Sequence, residues 1–235
     1  MDNLTYDVEY NMSDSSVFKD DDNLRLALAY AIDKDGINVG VFNGNGTAVK
    51  DFANATYPDY NSEWDSEDYY DYDVDKAKEY LEQSNYDGST LRLEYINSGM
   101  NEMICQMLQA YWGQIGVTVE LVGYDQMMGQ QEQYNADGFD ILLKTTGSTD
   151  YIVNQWKLCW DKRDYESLTG GAANFTQDDQ LQMYISTYSK NSFPLARPPF
   201  WGKTVADQGC ALFILRKCRL QEGSGYGCQV LHLKS

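Results

Sequence analysis

Hydrophobic positions along this chain fall first on every second residue and then on every third or fourth. Leu4, Tyr6, Val8, Tyr10 and Met12 alternate with polar residues, the period of a strand with one face toward a core. Asp21 to Ile37, DDNLRLALAYAIDKDGI, then reads as a capped amphipathic helix. Asp21 and Asp22 put carboxylate oxygens where the first free N–H groups of a helix need acceptors and where its dipole is positive. Leu24, Ala27, Leu28 and Ala31 follow at i, i+3, i+4 and i+7, one apolar stripe. Ile37 to Phe42 is expected to begin a second short helix after Asp33, closed by Asn43-Gly44-Asn45-Gly46. After a polar loop to about Tyr72, Asp73 caps a helix over Val74 to Gln83, with Ala77, Tyr80 and Leu81 on one face.

From Leu91 the pattern becomes a strand-helix-strand-helix-strand series. Leu91, Leu93 and Tyr95 alternate. Met103, Ile104, Met107, Leu108, Tyr111 and Ile115 predict the buried side of a helix that stops at Gly116. Val117, Val119 and Leu121 predict the next strand, Asp125 to Tyr134 a short helix, and Phe139 to Leu143 a third strand. Connections of this length favour parallel neighbours with right-handed crossovers, so the fold class is α/β with a mixed, largely parallel sheet flanked by helices. Thr176 is placed to cap one more helix, from Gln177 to about Tyr188.

Composition narrows the function classes. A net charge of -18 in 235 residues argues against nucleic acid and anionic membrane surfaces as partners, because both need a basic protein face. With 19 Tyr, 5 Trp and 8 Phe the chain is too aromatic for a disordered acidic tail. No stretch approaches the roughly 20 apolar residues of a membrane span, and Met1-Asp2-Asn3-Leu4 is not a signal peptide. Five cysteines without paired spacing predict no disulfide framework; Cys105 reads as a helix-core thiol.

The balance reverses near Asn191. Residues 193–235 hold six Lys/Arg (Arg197, Lys203, Arg216, Lys217, Arg219, Lys234) against Asp207 and Glu222, a net of 6 - 2 = +4, which leaves -18 - 4 = -22 for residues 1–192. Three of the four prolines, three of the five cysteines and the single histidine, His232, also lie there. The chain therefore divides into a main body, 1–190, and an atypical basic tail, 191–235. A basic appendage is one reading of the tail. The preferred one is a slip of the coding frame near residue 190, leaving a segment that is disordered or foreign to the body. Translation of the encoding DNA in the other two frames tests it: an acidic, strand-forming continuation is expected.

Several strings resemble a known family. Leu24-Arg25-Leu26-Ala27-Leu28-Ala29-Tyr30-Ala31-Ile32-Asp33, followed by Lys34-Asp35, is similar to the R-x-A-L-x-Y-A-I-D-R/K stretch of the family 5 extracellular solute-binding proteins, receptors of ABC importers for peptides, nickel complexes and some sugars. Tyr72-Asp73-Val74-Asp75-Lys76-Ala77-Lys78-Glu79-Tyr80-Leu81 resembles that family's Y-D-P-x-K-A-K-E-L-L helix, and Leu91-Arg92-Leu93-Glu94-Tyr95 the strand after it. The block from Met107 to Leu121 looks like Q-x-x-L-x-x-I-G-I-x-V-E-L; Phe139-Asp140-Ile141 and Thr149-Asp150-Tyr151 resemble a later strand and its D-Y turn. The resemblance reaches Tyr151. It implies a lobe of the type II periplasmic-binding-protein fold, incomplete at both ends, from a secreted parent whose signal this chain lacks.

The same resemblance implies non-catalytic ligand capture in a cleft between two lobes that close by hinge motion, for import through ABC permease subunits. It implies a peptide or other small solute as ligand, a monomer, a periplasmic or cell-surface location, no cofactor and no metal. Asp150 matches the aspartate that pairs with a peptide's amino group, Tyr151 stands beside it, and Lys144 lies where some members carry an arginine that faces a ligand carboxylate. Gly147 departs from the aromatic residue of many relatives, which opens the ligand class. Asp150 also reads as a loop-capping aspartate after a strand. Weak peptide binding is expected of a piece that holds part of the cleft.

Two other function classes stand beside this one. Asp71, Asp73, Asp75 and Glu82 occupy positions 1, 3, 5 and 12 of a calcium-loop pattern, but position 6, which needs glycine for its turn, is Lys76. A calcium-dependent binding module is thus one alternative. A carbohydrate-active enzyme using paired Asp/Glu is the other. With 36 acids, chance pairs are inevitable and none is singled out. A single histidine leaves no triad or zinc site to assemble.

Overall fold

The structure is a computed structural model, and it describes residues 4–13, 15–48, 60, 70–132, 139–147, 183, 186 and 228–231. The alternating segment at the start forms strand β1, Leu4–Tyr10. Two short helices follow, α1 over Asp22–Tyr30 and α2 over Lys34–Phe42. The stretch expected as one helix from Asp21 to Ile37 is therefore two. Hydrogen bonding of α1 closes at Ala31, and Asp33 starts α2 by accepting the Gly36 N–H at 2.8 Å, the same capping chemistry that starts α1. The second helix begins at Lys34, ahead of the expected Ile37. It ends where predicted, with Asn43 in the left-handed region at φ 53°.

Asp21 does more than cap. One carboxylate oxygen accepts from Leu24 N at 2.9 Å and the other from Asn85 N at 2.6 Å, 64 residues away. The second bond fastens α1 to the loop after helix α3, Val74–Glu82, which Asp73 caps by accepting from Lys76 N at 2.9 Å. Tyr30 of α1 stacks on Tyr80 of α3 with ring centroids 5.5 Å apart, and the Lys76 ammonium sits 4.0 Å over the Tyr30 ring.

The predicted alternation of strands and helices continues with β2 (Leu91–Ile96), α4 (Gly99–Gln114), β3 (Val119–Tyr124), α5 (Gln126–Glu132) and β4 (Ile141–Gly147). A last strand, β5, spans Cys228–Leu231, inside the basic segment. The sheet order is β3-β2-β4-β1-β5. β2 pairs in parallel with both β3 and β4, whereas β1 pairs antiparallel with β4 and β5, so the sheet is mixed as expected. The Gln177 helix lies outside the described residues except for Met183 and Ser186, which are helical.

One face of the sheet carries the core. Tyr6, Val8, Tyr10, Leu91, Leu93, Tyr95, Ile141 and Leu143 are buried together with Leu24, Leu28 and Ile37 from the first two helices. Each such aliphatic side chain contributes about 1.5–3 kcal/mol of burial. The Tyr6 ring meets Phe42 at 5.5 Å and Tyr10 stacks on Phe18 at 4.8 Å. Helix α4 departs from its predicted face. Met103 is 45% exposed, and the buried line is Ile104, Cys105, Leu108 and Trp112, continuing to Ile115. Trp112 decides this rotation: it is fully buried and its indole N–H donates to Leu28 O at 3.0 Å, satisfying the polar atom the ring brings inside. Cys105 is buried as expected, and burial pushes its thiol up, beyond reach of the thiolate form. Gly116 ends the α4 turn at φ 97°.

Candidate functional site

Because β2, β3 and β4 run in parallel, their carboxyl ends at Ile96, Tyr124 and Gly147 lie along one side of the sheet. β1 runs the other way and brings its first residue, Leu4, to the same side, opposite Gly147. In open α/β sheets ligands bind in the crevice outside the carboxyl ends of the strands. Short turns there launch two helices. Ser98 caps α4 through Asn101 N at 3.1 Å, and Asp125 accepts from Met127 N and Met128 N at 2.9 and 3.0 Å. Met100, Met103, Met127 and Met128 are exposed at these helix starts. The Tyr6 hydroxyl donates to the Met100 sulfur at 2.7 Å, and burial raises the Tyr6 phenol above its usual range.

The sheet face opposite the core is charged, and its acids Asp7, Glu9 and Glu94 are closed to solvent. In β1 the polar alternates are Asp7, 1% exposed, and Glu9, 2% exposed. Alternation alone suggests a solvated polar face; here β1 lies inside the sheet, between β4 and β5, and its polar side is covered. The register aligns Glu94, Leu142 and Glu9 in one row across β2, β4 and β1, with Lys144 opposite Asp7 in the next. Lys144 Nζ lies 3.3 Å from Glu9 Oε1. On the other side of Leu142, Arg92 pairs with Glu94 at 2.7 Å, and the Tyr124 hydroxyl joins them, 3.2 Å from the guanidinium and 3.4 Å from Glu94 Oε1. Buried ions are stable only when matched in this way, since desolvation takes several kcal/mol from each.

Of the four residues singled out from sequence, the structure places two. Lys144 and Gly147 share β4, three positions apart, with Gly147 at the strand's last position. Asp150 and Tyr151 lie outside the described residues. Sequence reasoning missed Asp7, Glu9, Glu94, Arg92 and Tyr124. A signal was present in the placement of acids at alternate positions of a strand, as in Asp7-Val8-Glu9, but nothing local says that the second face is covered. Within the calcium-loop pattern Asp73 caps α3, its Oδ1 accepting from Lys76 N, Asp75 lies in the first turn of that helix and Glu82 is its last residue. Among the described residues no three His, Cys, Asp or Glu side chains are grouped to hold a metal ion. No helix among them is long and apolar enough to cross a membrane.

Known proteins resemble this chain in sequence and in fold. The family described as bacterial extracellular solute-binding proteins, family 5 Middle, matches residues 3–192. The dipeptide-binding protein of Escherichia coli K12 is 34% identical over 113 residues, 45% of this chain and 20% of that protein. The heme-binding protein A of Haemophilus influenzae is 31% identical over 108 residues, 43% of this chain and 19% of that one. In three dimensions the murein tripeptide binding protein of Escherichia coli superposes with a TM-score of 0.65 at 16% identity, over 83% of this chain and 38% of its own. The matched segments span about one fifth of the two sequence relatives and less than half of that solved structure. The lobe described above has the α/β fold of type II periplasmic binding proteins, and with its match running from residue 3 to residue 192 this chain belongs to the family 5 bacterial extracellular solute-binding proteins.

Proposed function

We propose that this chain is the ligand-capturing part of an extracellular receptor that delivers peptides, chemically unchanged, to the permease subunits of an ABC importer. The observation that carries the reading is the family match over residues 3–192, which takes in both the strand ends and the turn that follows them. Gly147 closes β4 at the carboxyl side of the sheet, and Asp150 follows it by three residues. Asp150 pairs with the ligand's amino group, because an ammonium taken out of water needs a carboxylate and hydrogen bonds in return. Tyr151 flanks it, Lys144 stands three residues before the strand end with its ammonium paired to Glu9, and Gly147 leaves room for the ligand backbone. The similarity to a dipeptide-binding and a murein tripeptide binding protein supports a peptide over other solutes. The receptor acts as a monomer outside the cytoplasm, with no catalytic group.

The body of the receptor is 1–190 and the segment 191–235 is an atypical tail. The end of the family match at residue 192 supports that division, while the pairing of Cys228–Leu231 with β1 favours a tail that contributes to the sheet.

Thermal unfolding tests the reading with three additions: a mixed pool of short peptides, a glycan pool, and calcium. A ligand present at about 100 times its dissociation constant adds about 2.7 kcal/mol to folding and raises the midpoint. Peptides alone are expected to do so. Stabilisation by glycans or calcium without any by peptides overturns the proposal.

A further inference from the structure

We propose that Glu9 is a positioning residue: it holds the Lys144 ammonium back against the sheet and, resting on the peptide-receptor reading above, thereby removes any preference of the site for acidic ligands. Lys144 stands three residues before the carboxyl end of β4, within reach of the crevice where ligand is expected. Its side chain is 18% exposed and its ammonium is 3.3 Å from Glu9 Oε1. Glu9 Oε2 is buried and has no hydrogen-bond partner among the described residues, and Lys144 is the cation paired with this carboxylate among them. Asp7, equally buried, stands directly opposite Lys144 in the β1–β4 register. Arg92, on the same face of the sheet, is engaged by Glu94. An ammonium neutralised in this way exerts little pull on a ligand carboxylate, because the field of the pair falls off far faster than that of a lone charge.

Two measurements on the full chain test this, one without ligand. Reductive methylation with labelled formaldehyde, followed by NMR or peptide mapping, is expected to modify Lys144 about tenfold more slowly than the exposed Lys78, and Glu9→Gln to narrow the difference. Calorimetry then compares tripeptides with Glu, Gln or Lys at the middle position. Glu9→Gln is expected to gain about tenfold for the Glu peptide relative to the Gln peptide, and the charge-neutral double variant Glu9→Gln/Lys144→Gln to lose that gain while remaining folded. Lys144 as reactive as Lys78 in the unsubstituted protein, or equally protected in Glu9→Gln, overturns the positioning role. A freed Lys144 with no change in peptide ranking overturns its effect on specificity. If no tripeptide binds the unsubstituted protein, the peptide reading and its specificity consequence fall, and the methylation rates decide the Glu9 hold by themselves.

Discussion

Asp21→Ala removes one carboxylate that holds two backbone groups from distant parts of the chain. Oδ1 caps α1 through Leu24 N and Oδ2 accepts the Asn85 N–H at 2.6 Å; the residue is 5% exposed. Loss of an N-cap takes about 0.5–2 kcal/mol. Losing the part-buried bond from Asn85, itself an exposed residue, adds about 0.5–1.5 kcal/mol, the net worth of an ordinary hydrogen bond. The combined effect is expected at about 1–3 kcal/mol, a sizeable share of the roughly 5–15 kcal/mol that stabilises a domain. With a urea slope of about 2 kcal/mol/M, the unfolding midpoint followed by circular dichroism falls by roughly 0.5–1.5 M. Asp73→Ala is the internal control. It deletes a single, exposed capping bond at the start of α3, and about 0.5–1 kcal/mol is expected. Asp21→Asn separates the two bonds, since its amide keeps an oxygen for Leu24 N and turns an NH2 group toward Asn85. An Asp21→Ala variant no less stable than Asp73→Ala would refute the claim that the long-range bond adds to the cap.

Three further outcomes follow from the same geometry. Trp112→Phe keeps an aromatic ring but strands the Leu28 carbonyl in the core, so a loss of about 1–3 kcal/mol is expected in urea unfolding, and none if the indole bond is idle. Burial raises the phenols of Tyr6, Tyr95 and Tyr111, with Cys105 and Glu102 adding at Tyr95 and Asp33 and Tyr72 adding at Tyr111. A raised folded-state value means that the fold favours the neutral phenol. That contribution is complete below the unfolded value of about 10 and is lost as pH climbs through the folded values; thermal midpoints from about pH 8 to about pH 11 should fall at the alkaline end, less steeply in Tyr111→Phe. Asp150→Asn is expected to weaken peptides with a free amino group by about 2 kcal/mol, roughly thirtyfold, and to leave N-acetylated peptides unchanged in calorimetry. Equal loss for both peptide types would remove Asp150 from amine recognition.

Elements whose partners are close in sequence were legible from the chain itself. Asp21 and Asp73 are caps because a short carboxylate beside an apolar run finds N–H groups three residues on, with no tertiary contact needed. The α4 face was not legible, because Met103 and Ile104 are both apolar and adjacent, so two stripes about 100° apart fit the same residues. Packing chose between them: Trp112 brings more area and finds Leu28 O, 84 residues away. The charged sheet face was hidden for the same reason. Glu9 and Lys144 are 135 residues apart, and only the β1–β4 register makes them neighbours. Family resemblance pointed to the strand end and its turn, but it could not say that Lys144 would be held by a carboxylate of its own sheet.

The pairing of β1 with β4 has a bearing on how the protein is made. Tyr10 lies opposite Ile141 and Leu4 opposite Gly147, so β1 waits for 141 - 10 = 131 further residues to be synthesised before its β4 partner exists. At about 5–20 residues per second that delay is roughly 7–26 s. The β2-α4-β3 unit, by contrast, closes over a few dozen residues and has its partners at hand almost as soon as it is synthesised. A strand whose β4 partner comes this much later is open to wrong pairing, and the acids at Asp7 and Glu9 make it harder to pair indiscriminately. Residues that end buried at the ion pair would thus serve first, in the unfinished chain, as gatekeepers against aggregation.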